Sequence, residues 1–294
     1  MSRYPPFKEA EAAREPFDDS IRFKVTKTKE TGFKPGQGLN DHVEAKRFAD
    51  EEASYNIIQI GKTDVESSYI YKLLISGIVP RPVALVTTLN EEGFPNLAPI
   101  SWYQMVSHDP PMVMLSFGGT EGRRKDSELN IKRTKEFTIS SSNEHIAEAL
   151  NYASVDCPPG VSEFVLAGLT PIESKVVKTP RVKESPFSME CELDYVREIR
   201  NDAGKHTSTM CLGRVKVIHF RKDTVNPVSG AVDPAKAMFV SRMGGLLYSR
   251  VISGYELERR KWTDIQDQEE VKSALEKGIN KTLECKDPVL ERYP

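Results

Sequence analysis

The pattern of apolar and polar residues predicts a strand-rich body between two polar ends. Residues 1 to about 60 are charged and show no sustained apolar period, which predicts an extension that is disordered or wrapped over the body or a partner chain. Apolar residues at helical spacing then begin near Val65 and stop at Gly77 and Pro80. After Trp262 the sequence predicts a polar helix. The expected divisions are an extension over 1–64, a body over 65–261 and a helical tail over 262–294.

Short β-branched and alternating runs in the body predict antiparallel strands. VALVTTL at 83–89 is followed by the turn NEEG and then by PNLAPISWYQMV, and this pair is expected to form a hairpin. MVMLSF at 112–117 and EFTIS at 136–140 are two further strands. In SMECELDYV apolar residues alternate with acidic ones, which predicts a half-buried strand with one solvent-facing side. It is expected to pair, through the turn NDAG, with TSTMCLGRVKVIHF, where Gly213 indicates a bulge.

Together these segments predict a mainly β protein of about six antiparallel strands with short flanking helices, one of them over NEHIAEALNYASV with Asn143 as its N-cap. The strands would form a small closed barrel or a sandwich. A barrel of about eight strands or fewer is filled by its own side chains. A large ligand would therefore lie on the outer wall or rim, and a homodimer would supply the second wall.

Composition excludes several classes of function. The 294 residues carry a formal charge of −2 at pH 7, which is unlike the basic footprint of a nucleic-acid-binding protein. The N-terminus resembles no secretory signal, and no apolar run approaches the roughly 20 residues of a membrane span. A cytoplasmic protein without a membrane partner is expected. No metal or disulfide site is expected either, because the histidines lack a second ligand at metal spacing and the cysteines show no paired spacing; these are Cys157, Cys191, Cys211 and Cys285.

The candidate anion site is SFGGTEGRRKDSELN, residues 116–130. A strand end and two glycines precede three cations, Arg123 to Lys125, and a helix is expected to start near Asp126 or Ser127. The first turn of a helix favours a negative group, and Arg and Lys add charge-assisted hydrogen bonds. Neither G-x-x-x-x-G-K-[ST] nor G-x-G-x-x-G is present. Alternatively, the cations form a solvated loop that contacts no ligand, and this stretch alone leaves both possibilities open.

With its flanks, the segment resembles the flavin-reductase-like domain of the FMN-binding split-barrel superfamily, and the flavoredoxin type in particular. The motifs that carry the resemblance occur in order over about residues 65–260: PRPVALVTTLNEEGFPNLAPISWYQMVSHDPPMVMLSFG, KDSELNIKRTKEFTIS, GVSEFVLAGLTP, TPRVKESPFSMECEL and SRMGGLLYSR. The resemblance implies a six-stranded antiparallel split barrel, usually a homodimer, with FMN across the barrel wall near the subunit interface.

The resemblance also implies cofactor-binding residues. The strand segment around Leu97 would run along the isoalloxazine and ribityl chain, the end of the third strand would lie beside the cofactor, the basic turn would take the phosphate, and the later RMGGLLY run would lie near the flavin or nicotinamide. In order, these residues are Asn96, Ala98, Pro99 and Ser101; Ser116; Lys125, Ser127 and Asn130; and Arg242, Gly245 and Tyr248. The candidate aromatic covers, each of which could instead belong to the core, are Trp102, Tyr103, Phe117 and Tyr248.

The function implied is an FMN-dependent oxidoreductase that takes hydride from NADH or NADPH and passes electrons to free flavin, oxygen or a small-molecule acceptor. This chemistry belongs to the cofactor and needs no catalytic protein nucleophile. The alternative is a non-enzymatic FMN-binding electron carrier or sensor on the same fold. A pyridoxamine-phosphate-oxidase-like activity is a further option. The acceptor, the choice between NADH and NADPH, and the roles of Arg123 and Arg124 stay open.

Overall fold

The computed structural model describes residues 6–48, 55–158 and 160–279. The chain packs as two units, one formed by residues 1–23 with 65–252 and the other by 24–64 with 253–294. The domain boundaries predicted from the sequence stay a prediction. Residues 1–5 and 49–54 of the predicted extension and residues 280–294 of the predicted tail lie outside the described residues, as does Cys285.

The described chain contains fourteen strands and eight α-helices. The strands are β1 (Lys24–Thr26), β2 (Arg81–Pro82), β3 (Ala84–Leu89), β4 (Pro95–Ile100), β5 (Tyr103–His108), β6 (Pro111–Gly118), β7 (Glu136–Ser141), β8 (Pro171–Ile172), β9 (Arg181–Val182), β10 (Phe187–Arg200), β11 (His206–Phe220), β12 (Val240–Arg242), β13 (Tyr248–Arg250) and β14 (Ser253–Tyr255). The helices are α1 (Phe7–Ala12), α2 (Ser67–Gly77), α3 (Asp126–Thr134), α4 (Ala147–Tyr152), α5 (Glu163–Ala167), α6 (Pro234–Ala237), α7 (Trp262–Ile265) and α8 (Glu269–Ile279).

The first unit is built on one seven-stranded sheet in the order β4-β3-β7-β10-β11-β6-β5. Every neighbouring pair is antiparallel, so the predicted mainly β, antiparallel class is confirmed. The sheet contains seven strands where six were expected, and closure into a barrel stays a prediction. The two outermost strands, β4 and β5, follow each other directly in the chain.

The run PNLAPISWYQMV, predicted as one strand, forms both β4 and β5. The prediction of a single strand is wrong because the chain turns at Ser101 and Trp102. There the carbonyl of Trp102 accepts the N–H of Ser116 at 2.9 Å, so the second half of the run pairs with β6 instead of β3. The hairpin of β3 and β4 is confirmed, with Ala84 opposite Ile100.

Alternate residues of a strand face opposite sides of a sheet, and the sheet has an apolar core on each side. One core includes Ile131 of α3 and lies among Ala84, Val86, Val113, Leu115, Phe117, Phe137, Ile139, Met189, Cys191, Cys211 and Val215. The other packs under α4 and α5 and contains Val83, Leu85, Leu97, Ile146, Leu150, Ala153, Phe164, Leu169, Val182 and Val240. Because β3 contributes to both cores, it is buried along nearly its whole length.

The hairpin of β10 and β11 is confirmed, and so is the predicted bulge. The register shifts between Leu193 and Tyr195, and Leu193 lies opposite Gly213. Gly213 also has a packing role, because a Cβ atom there would overlap the ring of Phe137. The glycine therefore lets the ring of Phe137 on β7 approach the backbone of β11 closely.

The solvent-facing side predicted for β10 is wrong at Glu190, whose side chain is fully buried. The backbone N–H groups of Lys175, Val176 and Val177 donate to its carboxylate at 2.6, 2.7 and 3.1 Å, and Nε2 of His219 lies 2.6 Å away. Burial alone would raise the pKa of Glu190, but these hydrogen bonds outweigh it and lower the pKa to about 2. The acidic residue holds a loop against the sheet, which an alternating pattern cannot reveal.

Smaller elements complete the chain. Asn143 caps a short 3₁₀ turn, since its side chain accepts the N–H of His145 at 2.9 Å, and α4 follows as a separate helix. The predicted cap is confirmed, whereas the single helix is divided in two. In the second unit β1 pairs in parallel with β14, and the predicted tail helix forms α7 and α8 within the described residues. No helix in the described ranges is long and apolar enough to cross a membrane.

Candidate functional site

A cavity of about 410 Å³ on the first unit brings together seven of the predicted site residues. Its walls are β4, the link to β5, the end of β6, the turn leading into α3 and the segment 153–157. The predicted residues on these walls are Asn96, Ala98, Pro99, Ser101, Ser116, Lys125 and Ser127. The volume lies within the range of small-molecule sites in proteins, roughly 300–1,000 Å³.

The β4 wall is held in place by a buried carboxylate. Glu163 at the start of α5 accepts the side-chain N–H of Asn96 and the backbone N–H of Leu97, each at 2.9 Å. The hydroxyl of Ser162 donates to the carbonyl of Pro95 at 2.6 Å. The outer edge of β4 is therefore fastened to α5 by side chains and pairs with no further strand of the described chain.

The start of α3 lies beside this wall. α3 begins at Asp126, and no side chain caps its first turn. Ser127 is buried and donates to Oδ1 of Asn96 at 2.9 Å, so its hydroxyl supports the wall of the cavity. Asn130 is also buried, but it donates to Thr88 at 3.0 Å and does not line this cavity.

The three consecutive cations of the basic turn have different partners. Arg124 is largely buried and contacts Glu128 at 2.7 Å and Glu198 at 2.8 Å. Hydrogen bonds from Arg124 and then from Lys132 lower the pKa of Glu198. Arg124 is thus tied into a structural ion network. Two carboxylates of the protein therefore compensate its charge.

All three cations line the cavity, but Arg123 and Lys125 share one exposed carboxylate, Asp156. A hydrogen bond joins Arg123 to Asp156, and Nζ of Lys125 lies 3.8 Å from the same side chain. The hydrogen bond from Arg123, followed by the charge of Lys125, lowers the pKa of Asp156. The two cations and the uncapped start of α3 form a concentrated positive region of the cavity wall.

The cavity also has an aromatic wall. The rings of Tyr71 on α2 and Trp102 lie 6.5 Å apart at 57°, and both line the cavity. Gly118 at the end of β6 faces the Trp102 ring, since a Cβ atom there would lie 3.8 Å from it. Of the other predicted aromatic covers, Phe117 lies in the core. Tyr103 packs against that core, where burial raises its pKa to about 12.

The structure does not bring the predicted residues of the RMGGLLY run into this cavity. The guanidinium of Arg242 stacks on the ring of Tyr248 at 4.3 Å and donates to the carbonyl of Gly245 at 2.8 Å. These contacts all lie within the turn and stabilise it. A link to the cavity passes through Arg81, which donates to the carbonyl of Met243 at 2.8 Å and has Nε 3.4 Å from the Ser101 hydroxyl.

The cavity residues that sequence reasoning missed include Tyr71, Asp156, Cys157 and Glu163. Glu163 lies in GVSEFVLAGLTP, one of the motifs that carry the family resemblance, so that motif could have revealed it. Asp156 lies in a segment without a recognisable motif. Burial and the neighbouring Glu163 raise the pKa of the Cys157 thiol, which keeps it protonated at neutral pH and makes it a poor nucleophile.

The described residues contain no group of three or more His, Cys, Asp or Glu side chains that could hold a metal ion. The described cysteines, Cys157, Cys191 and Cys211, are free thiols. The cavity instead combines cationic side chains with aromatic ones, and β4 forms part of its wall. It therefore suits a ligand that has both an anionic group and an aromatic ring.

Residues 76–248, more than half of the chain, match the family described as Flavin reductase like domain. The chain is 36% identical over 189 residues to the uncharacterized protein YwrF of Bacillus subtilis, covering 64% of this chain and 92% of that protein. Nitrilotriacetate monooxygenase component B from Bacillus cereus is 32% identical, with a TM-score of 0.64 over 70% of this chain and 100% of that one. The 2-nitrobenzoate 2-nitroreductase NbaA from Pseudomonas fluorescens is 25% identical, with a TM-score of 0.61 over 70% and 98%.

The chain therefore belongs to the flavin-reductase-like family, and the resemblance found in the sequence is confirmed. Membership supports flavin-related oxidoreduction as the class of chemistry and a flavin as the cofactor.

Proposed function

We propose that this member of the flavin-reductase-like family binds FMN in the cavity and oxidises NADH or NADPH, passing the electrons to free flavin or a small acceptor. The observation that carries the proposal is the presence of two cations, Arg123 and Lys125, and two aromatic rings, Tyr71 and Trp102, in the walls of one cavity. FMN has a phosphate monoester and a planar ring separated by a ribityl chain, so its two ends match these two kinds of side chain.

Different walls of the cavity would contact different parts of FMN. Lys125, Arg123 and the first turn of α3 would take the phosphate, which replaces the carboxylate of Asp156 as their anionic partner. Tyr71 and Trp102 would cover the ring and exclude water from one side. Bound FMN would supply the redox chemistry, namely hydride acceptance from the nucleotide and electron transfer to the acceptor. The protein contributes orientation and electrostatics, with Ser101 and Ser116 as hydroxyl groups beside the ring.

The relatives support the choice of electron acceptor. One is named as a component of a monooxygenase and another as a nitroreductase. Both names describe proteins of redox systems that act on small organic molecules. We therefore propose free flavin or a small organic compound as the acceptor of this protein as well.

The test is oxidation of NADH and of NADPH by the purified chain, followed by absorbance with added FMN or riboflavin. Flavin-dependent oxidation of at least one nucleotide is expected, with FMN held more tightly than riboflavin because only FMN carries the phosphate. If flavin binds but neither nucleotide reduces it, the protein is an electron carrier or sensor. If neither flavin binds, the proposed site is wrong.

We further propose that the protein is a homodimer and that a second copy covers the outer face of α2. This helix has a single charged residue, Lys72, among its eleven residues, yet its large apolar side chains are about half exposed: Tyr69, Tyr71, Leu73 and Leu74. Exposed apolar patches of this kind mark interaction surfaces. Tyr71 belongs both to this face and to the cavity, so the second copy would lie beside the ligand. The cytoplasmic location stays a prediction.

A further inference from the structure

Beneath the basic turn, a buried histidine is bonded to the turn's backbone. His206 at the start of β11 is 2% exposed, and its Nδ1 lies 3.1 Å from the carbonyl oxygen of Gly119. Its Nε2 lies 2.8 Å from Oγ1 of Thr209. The hydroxyl of Thr209 in turn donates to the fully buried carboxylate of Glu128 at 2.7 Å. The turn before the cations is thereby connected to α3 through β11.

The bond to Gly119 fixes the donor on the ring. A carbonyl oxygen only accepts, so Nδ1 of His206 must carry a proton to bond Gly119. The other ring nitrogen, Nε2, bonds the hydroxyl of Thr209, which donates to Glu128. Glu128 also holds Arg124 at 2.7 Å and lies 3.9 Å from Lys132.

Gly119, whose carbonyl oxygen bonds His206, helps to determine the position of the cations. Thr120 and Arg123 exchange backbone hydrogen bonds at 3.3 and 3.0 Å. A Cβ atom on Gly119 would lie 2.9 Å from the carbonyl of Arg123, so the two sides of the turn are in close contact. A shift of Gly119 must therefore move Arg123, and with it the neighbouring Lys125.

We propose that His206, through the hydrogen bond from Nδ1 to Gly119, is a positioning residue for the two cations that bind the anionic end of the flavin. The inference rests on the proposed FMN site and adds a residue that does not line the cavity. Its effect is confined to the phosphate end. Loss of the bond to Gly119 therefore weakens FMN binding and leaves riboflavin binding unchanged.

The experiment uses the full chain and two matched variants, His206→Asn and His206→Gln. Asparagine places an amide donor near the position of Nδ1 and keeps the bond to Gly119, whereas glutamine places its amide near Nε2 and loses that bond. We expect about three- to tenfold weaker FMN binding for His206→Gln, the range of one hydrogen bond, and about wild-type binding for His206→Asn. Riboflavin affinity, measured by fluorescence titration, should be the same in all three proteins.

Equal FMN affinities in wild type and His206→Gln, or a parallel loss of FMN and riboflavin affinity, would overturn the proposal. A wild-type protein that binds neither flavin would instead contradict the proposed function. Nitrogen-15 NMR of the wild-type chain gives an answer that does not depend on the variants folding. Nδ1 of His206 should resonate as a protonated nitrogen, and a ring with a bare Nδ1 would also overturn the proposal.

Discussion

Arg123, Arg124 and Lys125 are adjacent cations, yet the structure gives them separate roles. Arg124 bonds Glu128, four positions away, and Glu198, 74 positions away. Arg123 bonds Asp156, 33 positions away. The sequence could predict a basic turn before a helix, because glycines, cations and a helix start are local signals. It could not predict which cation is available to a ligand, because Glu198 and Asp156, two of the carboxylates that decide this, come from distant parts of the chain.

Replacing Lys125 with Ala tests the cationic part of the cavity wall. The loss of one charge-assisted hydrogen bond at a half-exposed position should weaken FMN binding by about 1 kcal/mol, or roughly fivefold. Riboflavin affinity should not change. Lys125→Arg, which keeps the positive charge, serves as the control and should retain most of the FMN affinity. An unchanged affinity for FMN in Lys125→Ala would place the phosphate elsewhere.

Replacing Asp156 with Asn should have the opposite effect. The carboxylate of Asp156 competes with the phosphate for Arg123 and Lys125, so its removal should tighten FMN binding by about threefold or more. Asp126→Asn is the matched control, because it removes the same charge from the cavity wall. Asp126 has no ion pair within 4 Å among the described residues, and we expect a smaller gain. Calorimetric titration of both variants separates the two cases, and equal gains would mean that only the net charge matters.

At the scale of elements, an acidic residue of β10 secures the loop before β9. Glu190 binds three consecutive backbone N–H groups of this loop, and its pKa is lowered to about 2 from an ordinary 4.5. A lowered pKa contributes stability that is fully present above pH 4.5 and is lost as the pH falls from about 4.5 towards 2. For this group the contribution is of the order of 3 kcal/mol.

Glu190→Gln should therefore lower the free energy of unfolding at pH 7 by about 2–4 kcal/mol. The variant should also lose less stability than wild type between pH 4.5 and 3. Urea unfolding at several pH values measures both effects. Glu192→Gln is the control two residues along the same strand, because Glu192 is exposed and pairs with Lys216 at 3.2 Å on the surface. A similar loss in both variants would contradict the role given to the buried carboxylate.

Most elements could be predicted from local patterns. The strands β3, β6, β7, β10 and β11 follow from β-branched or alternating runs, and the bulge follows from Gly213. The division of PNLAPISWYQMV could not be predicted, because the turn at Trp102 depends on a hydrogen bond to Ser116. The burial of Glu190 also escaped, since alternation describes one strand and carries no information about the loop that covers it.

For the whole molecule, the exposed apolar face of α2 leads to a prediction about assembly. Replacing Leu74, which is 54% exposed, with Asp would place a charge in the proposed interface between two copies. We expect about tenfold weaker dimerisation, the effect of roughly 1.4 kcal/mol, and faster loss of FMN because Tyr71 lies on the same helix. Sedimentation velocity measures the first effect. Ser67→Asp at the start of α2 is the control and should leave assembly unchanged, and a wild-type monomer would refute the proposed dimer.

Cavity residues that lie in family motifs could be named from the sequence, whereas those that only the fold brings together were missed. Asn96 to Ser101, Ser116, Lys125 and Ser127 line one cavity, and their role in binding a cofactor stays a prediction. Tyr71 and Asp156 come from a helix and a loop that carry no motif of their own. Asn130 and the turn around Gly245 lie outside the cavity because their polar groups are engaged by Thr88 and by Arg242.

The unpaired edge of β4, an outermost strand of the sheet, affects the solubility of the protein. Along a strand with one neighbour, every second residue turns its main-chain N–H and C=O away from the sheet. In β4 these residues are Pro95, Leu97 and Pro99: the two prolines have no hydrogen to offer, and that of Leu97 is held by Glu163. A foreign strand therefore finds no donor there, which blocks growth into aggregates by edge addition. The outward-facing carbonyl oxygens of Leu97 and Pro99 can instead accept hydrogen bonds from a small ligand.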